Sequence, residues 1–143
     1  MNTRILFAVV VSMFVCQQVY AQDEPEAEAT ELEGTWEEVS TMRDGEQIES
    51  RNVHLNFASN WVIQNQRIPG THYYPCVFFR FSVNPEAMPA EIDFGPENLG
   101  IYEIEDDLLT ICFNRRFRPD RFESTEDYPT TLWVFRRVEE DDE

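Results

Sequence analysis

The sequence predicts an all-β domain, a single closed antiparallel barrel of about eight short strands, with a two-sheet β-sandwich as the alternative. Three observations carry that prediction. Apolar and polar residues alternate with a period of two through the middle of the chain, turn-forming residues interrupt the alternation at regular intervals, and nothing between Leu32 and Val138 offers a long amphipathic helix. A barrel is favoured over a sandwich because closure removes the exposed edges that an open sheet must protect.

Taken in order, the first strand runs from Thr35 to Val39. The Asp44-Gly45 turn follows, and residues 44–52 have room for a turn or two of helix. Val53-His54-Leu55-Asn56-Phe57 alternates cleanly, and the Ser59-Asn60 turn separates it from Trp61-Val62-Ile63-Gln64. After Pro69-Gly70 comes the clearest alternation, Val77 to Val83, whose odd positions face a core. Asn84-Pro85 ends it. Glu91-Ile92-Asp93-Phe94 is next, bounded by Gly95-Pro96. Ile101–Glu105 and Leu108–Phe113 are joined by Asp106-Asp107, an acidic pair suited to a tight hairpin. Leu132-Trp133-Val134-Phe135, after Pro129, is apolar on both faces and forms the last strand.

The flanks have a different character. Met1-Asn2-Thr3-Arg4, the apolar run Ile5–Val15 and the small-residue pattern of Val19-Tyr20-Ala21 form a signal-peptide profile over residues 1–21. The apolar run is shorter than the roughly 20 residues that span a bilayer, so no integral membrane segment is expected after its removal. A lipid anchor at Cys16 is disfavoured by Val15, where a small residue is required. Residues 22–31 read as an acidic disordered linker, 32–138 as the barrel domain and 139–143 as an acidic tail. Export to the periplasm or the extracellular space is the expected localisation.

The chain carries 28 acidic and 11 basic side chains, a net charge of −17, and every base is Arg. Such a field repels nucleic acid and anionic lipid surfaces and favours solubility. Beyond Cys16, Cys76 and Cys112 remain; an oxidising compartment permits a disulfide between them, and two separately buried thiols are the alternative.

Leu32-Glu33-Gly34-Thr35-Trp36, Val39-Ser40, Asp44-Gly45, Leu99–Ile104 and Leu108–Phe113 occur in that order, followed by Arg118-Pro119, Phe122 and Leu132–Phe135. The series resembles a domain of unknown function abundant in planctomycete bacteria, across most of Leu32–Arg137. Residues 60–75 depart from that pattern. Gly34-x-Trp36 on a first strand also looks like the start of a lipocalin, which implies that Trp36 plugs the barrel base beneath an arginine of the last strand, Arg136 or Arg137. The resemblance implies a lipocalin-like fold and no known activity.

Catalytic signatures are thin. The chain lacks a phosphate-binding Gly-rich loop, a Gly-x-Ser-x-Gly elbow and a His-Glu-x-x-His helix, and no cofactor is implied. His54 reads as a solvated strand residue. His72 and Cys76 are two zinc-type ligands without the second pair that a structural site requires, so no metal is expected. The local anomaly is Arg115-Arg116-Phe117-Arg118-Pro119-Asp120-Arg121, four arginines in seven residues of an acidic chain. Arg suits bidentate contacts with carboxylate or phosphate, which makes Arg115, Arg116 and Arg121 candidates for an anion or partner loop. The bland alternative pairs them with Glu103, Glu123 or Glu126.

The function expected is an exported binding or interaction module for an unknown small molecule or protein partner, with Trp61, Tyr73, Tyr74 and Arg118 at the mouth of its pocket. No enzyme activity is expected. A small hydrolase using paired carboxylates, and an assembly protein whose Arg-rich loop meets an acidic surface, are the competing classes.

Overall fold

The computed structural model describes residues 27–66, 69–71 and 74–139, with the backbone alone at 27–29 and 74–76. Residues 1–21, expected to be a signal peptide, the start of the expected linker and the acidic residues beyond Glu139 lie outside these residues. Among them, nine strands follow a short 3-10 helix, η1 (Ala27–Leu32): β1 (Gly34–Arg43), β2 (Glu46–Ile48), β3 (Val53–Ala58), β4 (Trp61–Gln66), β5 (Tyr74–Asn84), β6 (Ala90–Phe94), β7 (Leu99–Glu105), β8 (Leu108–Asn114) and β9 (Thr131–Arg137). Every pairing is antiparallel, and β1, β3, β4, β5, β6, β7, β8 and β9 form one continuous sheet that closes where β1 pairs with β9. The fold is a lipocalin-like eight-stranded barrel, and the β1–β9 ladder excludes the sandwich.

Two local expectations change. Residues 44–52 hold no helical turn; β2 pairs instead with the far half of β1, from Thr41↔Ile48 to Arg43↔Glu46. Asp44 (φ 53°) and Gly45 (φ 83°) both adopt positive φ, the conformation of a two-residue hairpin turn, which keeps the chain extended on either side. The last part of the segment read as a linker forms η1, because Leu32 has a core to enter and its neighbours' carbonyls have a donor waiting.

Alternation decides what fills the barrel. Trp36, Leu55, Phe57, Val62, Ile92, Leu109, Ile111 and Phe135 are at most 2% exposed. In β5 the expected odd phase holds from Phe79 onward: Phe81 is buried and Phe79 and Val83 pack against the core, while Phe78 turns outward; Val77, also expected inward, is instead 44% exposed, next to the register shift opposite Gln64/Asn65. A bulge between Glu38 and Ser40 resets the phase of β1, so that Trp36 and Thr41, an odd number of residues apart, both face inward and Val39 is exposed. Edge-to-face aromatic contacts run along the interior through Phe79–Phe94 (5.6 Å), Phe94–Phe113 (6.2 Å), Phe113–Trp133 (5.0 Å) and Trp133–Phe135 (5.6 Å). Side chains therefore occupy the barrel axis, the packed form of an eight-stranded barrel.

The two ends differ. At one, η1, the Ser59-Asn60 turn, the Asp106-Asp107 turn and the end of β9 come together; this end is closed by Leu32 and Trp36, both fully buried. At the other lie the Asp44-Gly45 turn, the 95–98 connection and the long 115–130 connection between β8 and β9.

Candidate functional site

At the closed end, the Trp36 indole Nε1 donates to the Leu32 carbonyl at 2.8 Å. Register places Trp36 opposite Arg137, whose guanidinium lies 4.1 Å from the indole ring centroid and donates to the carbonyls of Glu33 (2.9 Å) and Glu31 (2.8 Å). Of the two arginines offered for this position, Arg137 occupies it. Arg136 has the opposite strand phase, is exposed, and faces Glu37 across the ladder. The acidic side chains of Glu31 and Glu33 stay in solvent while their carbonyls are held, which is how a carboxylate-rich segment is tied to a barrel.

The 115–130 connection folds back over the outer wall. Ile101 and Cys112 are paired neighbours on β7 and β8, almost fully buried although they lie outside the central core, because this connection covers them. Arg118 anchors it: its guanidinium donates twice to the Asp93 carboxylate (2.6 and 2.9 Å) and once to the Gly100 carbonyl (2.7 Å), with Glu91 at 3.4 Å. Those bonds and the surrounding carboxylates hold its pKa above the ordinary arginine value. The strand between these contacts has no room for a side chain at residue 100, since a Cβ on Gly100 would lie 2.8 Å from the Ile92 carbonyl oxygen. Buried Ser124 and Thr130 knit the connection to the β1–β2 turn: Ser124 Oγ donates to Thr130 O (2.7 Å) and accepts from Gly45 N (3.1 Å), and Asp44 N donates to Thr130 O (3.1 Å).

Arg121 is also committed within the connection. It bonds Glu123, lies 3.3 Å from Asp120, and stacks 3.9 Å over Tyr128, whose hydroxyl donates to Asp120 (2.9 Å). Partial burial raises the Tyr128 phenol pKa, which keeps the hydroxyl a donor.

Arg115 and Arg116 stand apart from this. Both are exposed and, among the described residues, neither makes an ion pair. Together with Arg43, which β1–β9 register puts opposite Thr131, they line an open cleft of about 550 Å³ at the open end of the barrel. Phe113, a member of the interior aromatic series, and Phe117 give it apolar surface; Asn98, Asn114, Pro129 and Thr131 complete it with Asp44, the one carboxylate among its lining residues. Asn114 shapes the rim by donating to the Pro129 carbonyl and accepting from Arg116 N at 2.7 Å, thereby joining both ends of the connection.

Of the pocket residues named from sequence, the described Trp61 and Arg118 do not line this cleft. Trp61 opens β4 at the closed end and on the outer wall, 42% exposed, with Arg80 over its ring at 4.9 Å, because its strand phase is opposite to that of buried Val62. Arg118 grips the outer wall rather than the cleft. Tyr73 and His72 lie outside the described residues, as do the side chains of Tyr74 and Cys76. Cys112 is a buried free thiol whose Sγ donates to the Glu123 carbonyl at 3.7 Å, and desolvation raises its pKa. No group of three or more His, Cys, Asp or Glu residues able to hold a metal occurs among the described residues, and none of their helices is long and apolar enough to cross a membrane. Sequence reasoning missed Arg43, Phe113 and Phe117 as members of the site. Arg43 immediately before a turn was visible, but its proximity to Arg115 and Arg116 follows only from the closure of β1 on β9. No protein-family model matches this chain, and no curated protein is similar to it in sequence.

Proposed function

We propose that this protein is an exported, lipocalin-like binding module that holds an organic anion with an apolar body at the mouth of its barrel, and that it belongs with the planctomycete-type domain its strand motifs resemble. The signal-peptide profile of residues 1–21 supports export. The observation that carries the binding reading is a cleft with three arginines and one carboxylate, in a chain where acids outnumber bases 28 to 11. Pairing partners are abundant, and Arg118 and Arg121 have found them; among the described residues, Arg43, Arg115 and Arg116 make no ion pair. Guanidinium groups offer a bidentate fork to carboxylate or phosphate, and Phe113 and Phe117 supply the apolar wall that a small-molecule site ordinarily has.

A carboxylate-pair hydrolase needs two acids across one cleft. The lining residues provide Asp44 alone, so the geometry favours binding over catalysis. Glu103, whose pKa is raised first by desolvation and then by the Glu105 charge, is exposed on β7 and does not line the cleft.

Native mass spectrometry of the chain purified from an exporting host, with calorimetry against inorganic phosphate and benzoate, tests the reading. A bound mass lost on denaturation, or binding that falls at least about tenfold in Arg115→Gln/Arg116→Gln, supports it. A clean apo mass together with no heat from either probe removes it.

A further inference from the structure

The described residues that adjoin the two acidic runs lie at the end of the barrel opposite the arginine cleft. On the N-terminal side, η1 is tied to Arg137 through the Glu31 and Glu33 carbonyls, and Asp23 precedes η1 by only four residues. On the C-terminal side, β9 carries the chain from Thr131, which lines the cleft, to Arg137 at the closed end, about 20 Å at ~3.4 Å per residue. Val138 continues outward, its N donating to the Thr35 carbonyl at 2.9 Å, so the chain leaves the barrel moving away from the cleft.

To meet the cleft of its own barrel, the acidic run Glu139–Glu143 would have to double back along this wall. Glu143 lies five residues past Val138, and a fully extended chain advances at most about 3.6 Å per residue. That backbone span, roughly 18 Å, is under the ~20 Å of wall to be retraced, so a return leaves no residues for the turn and needs a taut chain, at a high cost in chain entropy. The carboxylates of residues 139 to 142 fall shorter still.

We propose that the acidic run Glu139–Glu143 of one copy occupies the cleft formed by Arg43, Arg115 and Arg116 of a second copy, joining barrels head to tail. The proposal rests on the reading of the cleft as an anion site. Charge complementarity selects the occupant: five consecutive carboxylates meet three guanidinium groups that make no ion pair among the described residues. The geometry selects a second copy, because the described chain enters the run at the end opposite the cleft and moving away from it. Such a contact uses two different surfaces, so each copy keeps one free cleft and one free run, and the assembly extends unless its rotation closes a ring.

The net charge of −17 opposes this contact at long range. Long-range repulsion is screened once the Debye length falls to ~8 Å at physiological ionic strength, whereas direct guanidinium–carboxylate contacts persist until it shrinks to ~3 Å near 1 M salt. Self-association therefore passes through a maximum with ionic strength.

The test uses the full chain and two charge variants, Glu139→Gln/Glu140→Gln/Asp141→Asn/Asp142→Asn/Glu143→Gln and Arg115→Gln/Arg116→Gln, each checked for native circular dichroism. Sedimentation at physiological ionic strength is expected to show a mean mass that rises with concentration for the unaltered chain. Each variant alone stays at the monomer mass, and an equimolar mixture of the two doubles it and stops there, because one run and one cleft remain. A monomeric unaltered chain, or a variant that associates alone, overturns the proposal. Phosphate or benzoate binding by the run-neutralised variant, without association in the mixture, overturns the head-to-tail contact and leaves the anion site standing. Absence of both overturns both.

Discussion

At the closed end of the barrel, Arg137 lays its guanidinium over Trp36 and gives its hydrogens to two backbone carbonyls, whereas at the open end Arg43, Arg115 and Arg116 surround a cleft without an ion-pair partner among the described residues. The same side-chain type closes one end and leaves the other charged. What separates the two uses is what the fold brings within reach. Arg137 meets carbonyls presented by η1 and an aromatic face one strand away; the cleft arginines meet amides, aromatic rings and a single acid. Within the 115–130 connection the contrast repeats over a few residues, for Arg118 reaches the outward carboxylates of β6 while Arg115 and Arg116, nearer the strand end, project over the mouth.

If the closed end holds the fold and the open end holds the ligand, substitutions at the two ends should have separable effects. Trp36→Ala removes a fully buried indole with its hydrogen bond and its stacked guanidinium, and is expected to cost about 3–5 kcal/mol in denaturant unfolding. A cost under about 1 kcal/mol would show that η1 does not seal the barrel. Arg115→Gln/Arg116→Gln is expected to leave stability within about 0.5 kcal/mol while reducing anion affinity at least tenfold; a stability loss comparable to that of Trp36→Ala would erase the distinction between the ends.

Arg118→Ala falls between these extremes. Its side chain and that of Asp93 are 27% and 28% exposed, so solvent screening limits the expected loss to about 1 kcal/mol. Hydrogen exchange should nevertheless rise across 115–130, and site-mapped alkylation of Cys112, normally shielded beneath this connection, should accelerate. Unchanged alkylation would mean that Ser124 and Thr130 suffice to hold the covering.

The smallest effect concerns Glu103. Its folded pKa is raised, so its favourable contribution is complete below the unfolded carboxyl pKa, about 4.3, and is lost as pH rises through the folded value. Glu103→Gln should therefore raise Tm slightly at neutral pH and leave it unchanged in acid. A lower Tm at neutral pH would indicate that the ionised carboxylate has a stabilising partner.

The strands were legible because period-two alternation and turn chemistry are local. All eight expected strands are present, and Asp44-Gly45, Ser59-Asn60 and Asp106-Asp107 lie at turns. The short β2 was invisible: Glu46-Gln47-Ile48 has too few apolar residues to alternate and is a strand only because β1 offers it an edge. The site was less legible. Trp61 resembled a mouth residue by its chemistry, yet the direction of its strand placed it at the closed end and its phase turned it outward.

By itself the sequence determined strand identity, the inward phase of Phe79 and Phe81, the aromatic filling of the barrel and the charge imbalance. Each is a property of neighbouring residues or of composition. Only the tertiary structure decided that Arg137 rather than Arg136 covers Trp36, that among the described residues Arg118 and Arg121 are ion-paired while Arg115 and Arg116 are not, and that Arg43 joins them. Those outcomes depend on how far each strand is staggered against its neighbour when β1 meets β9, and that register is set by packing across the whole barrel.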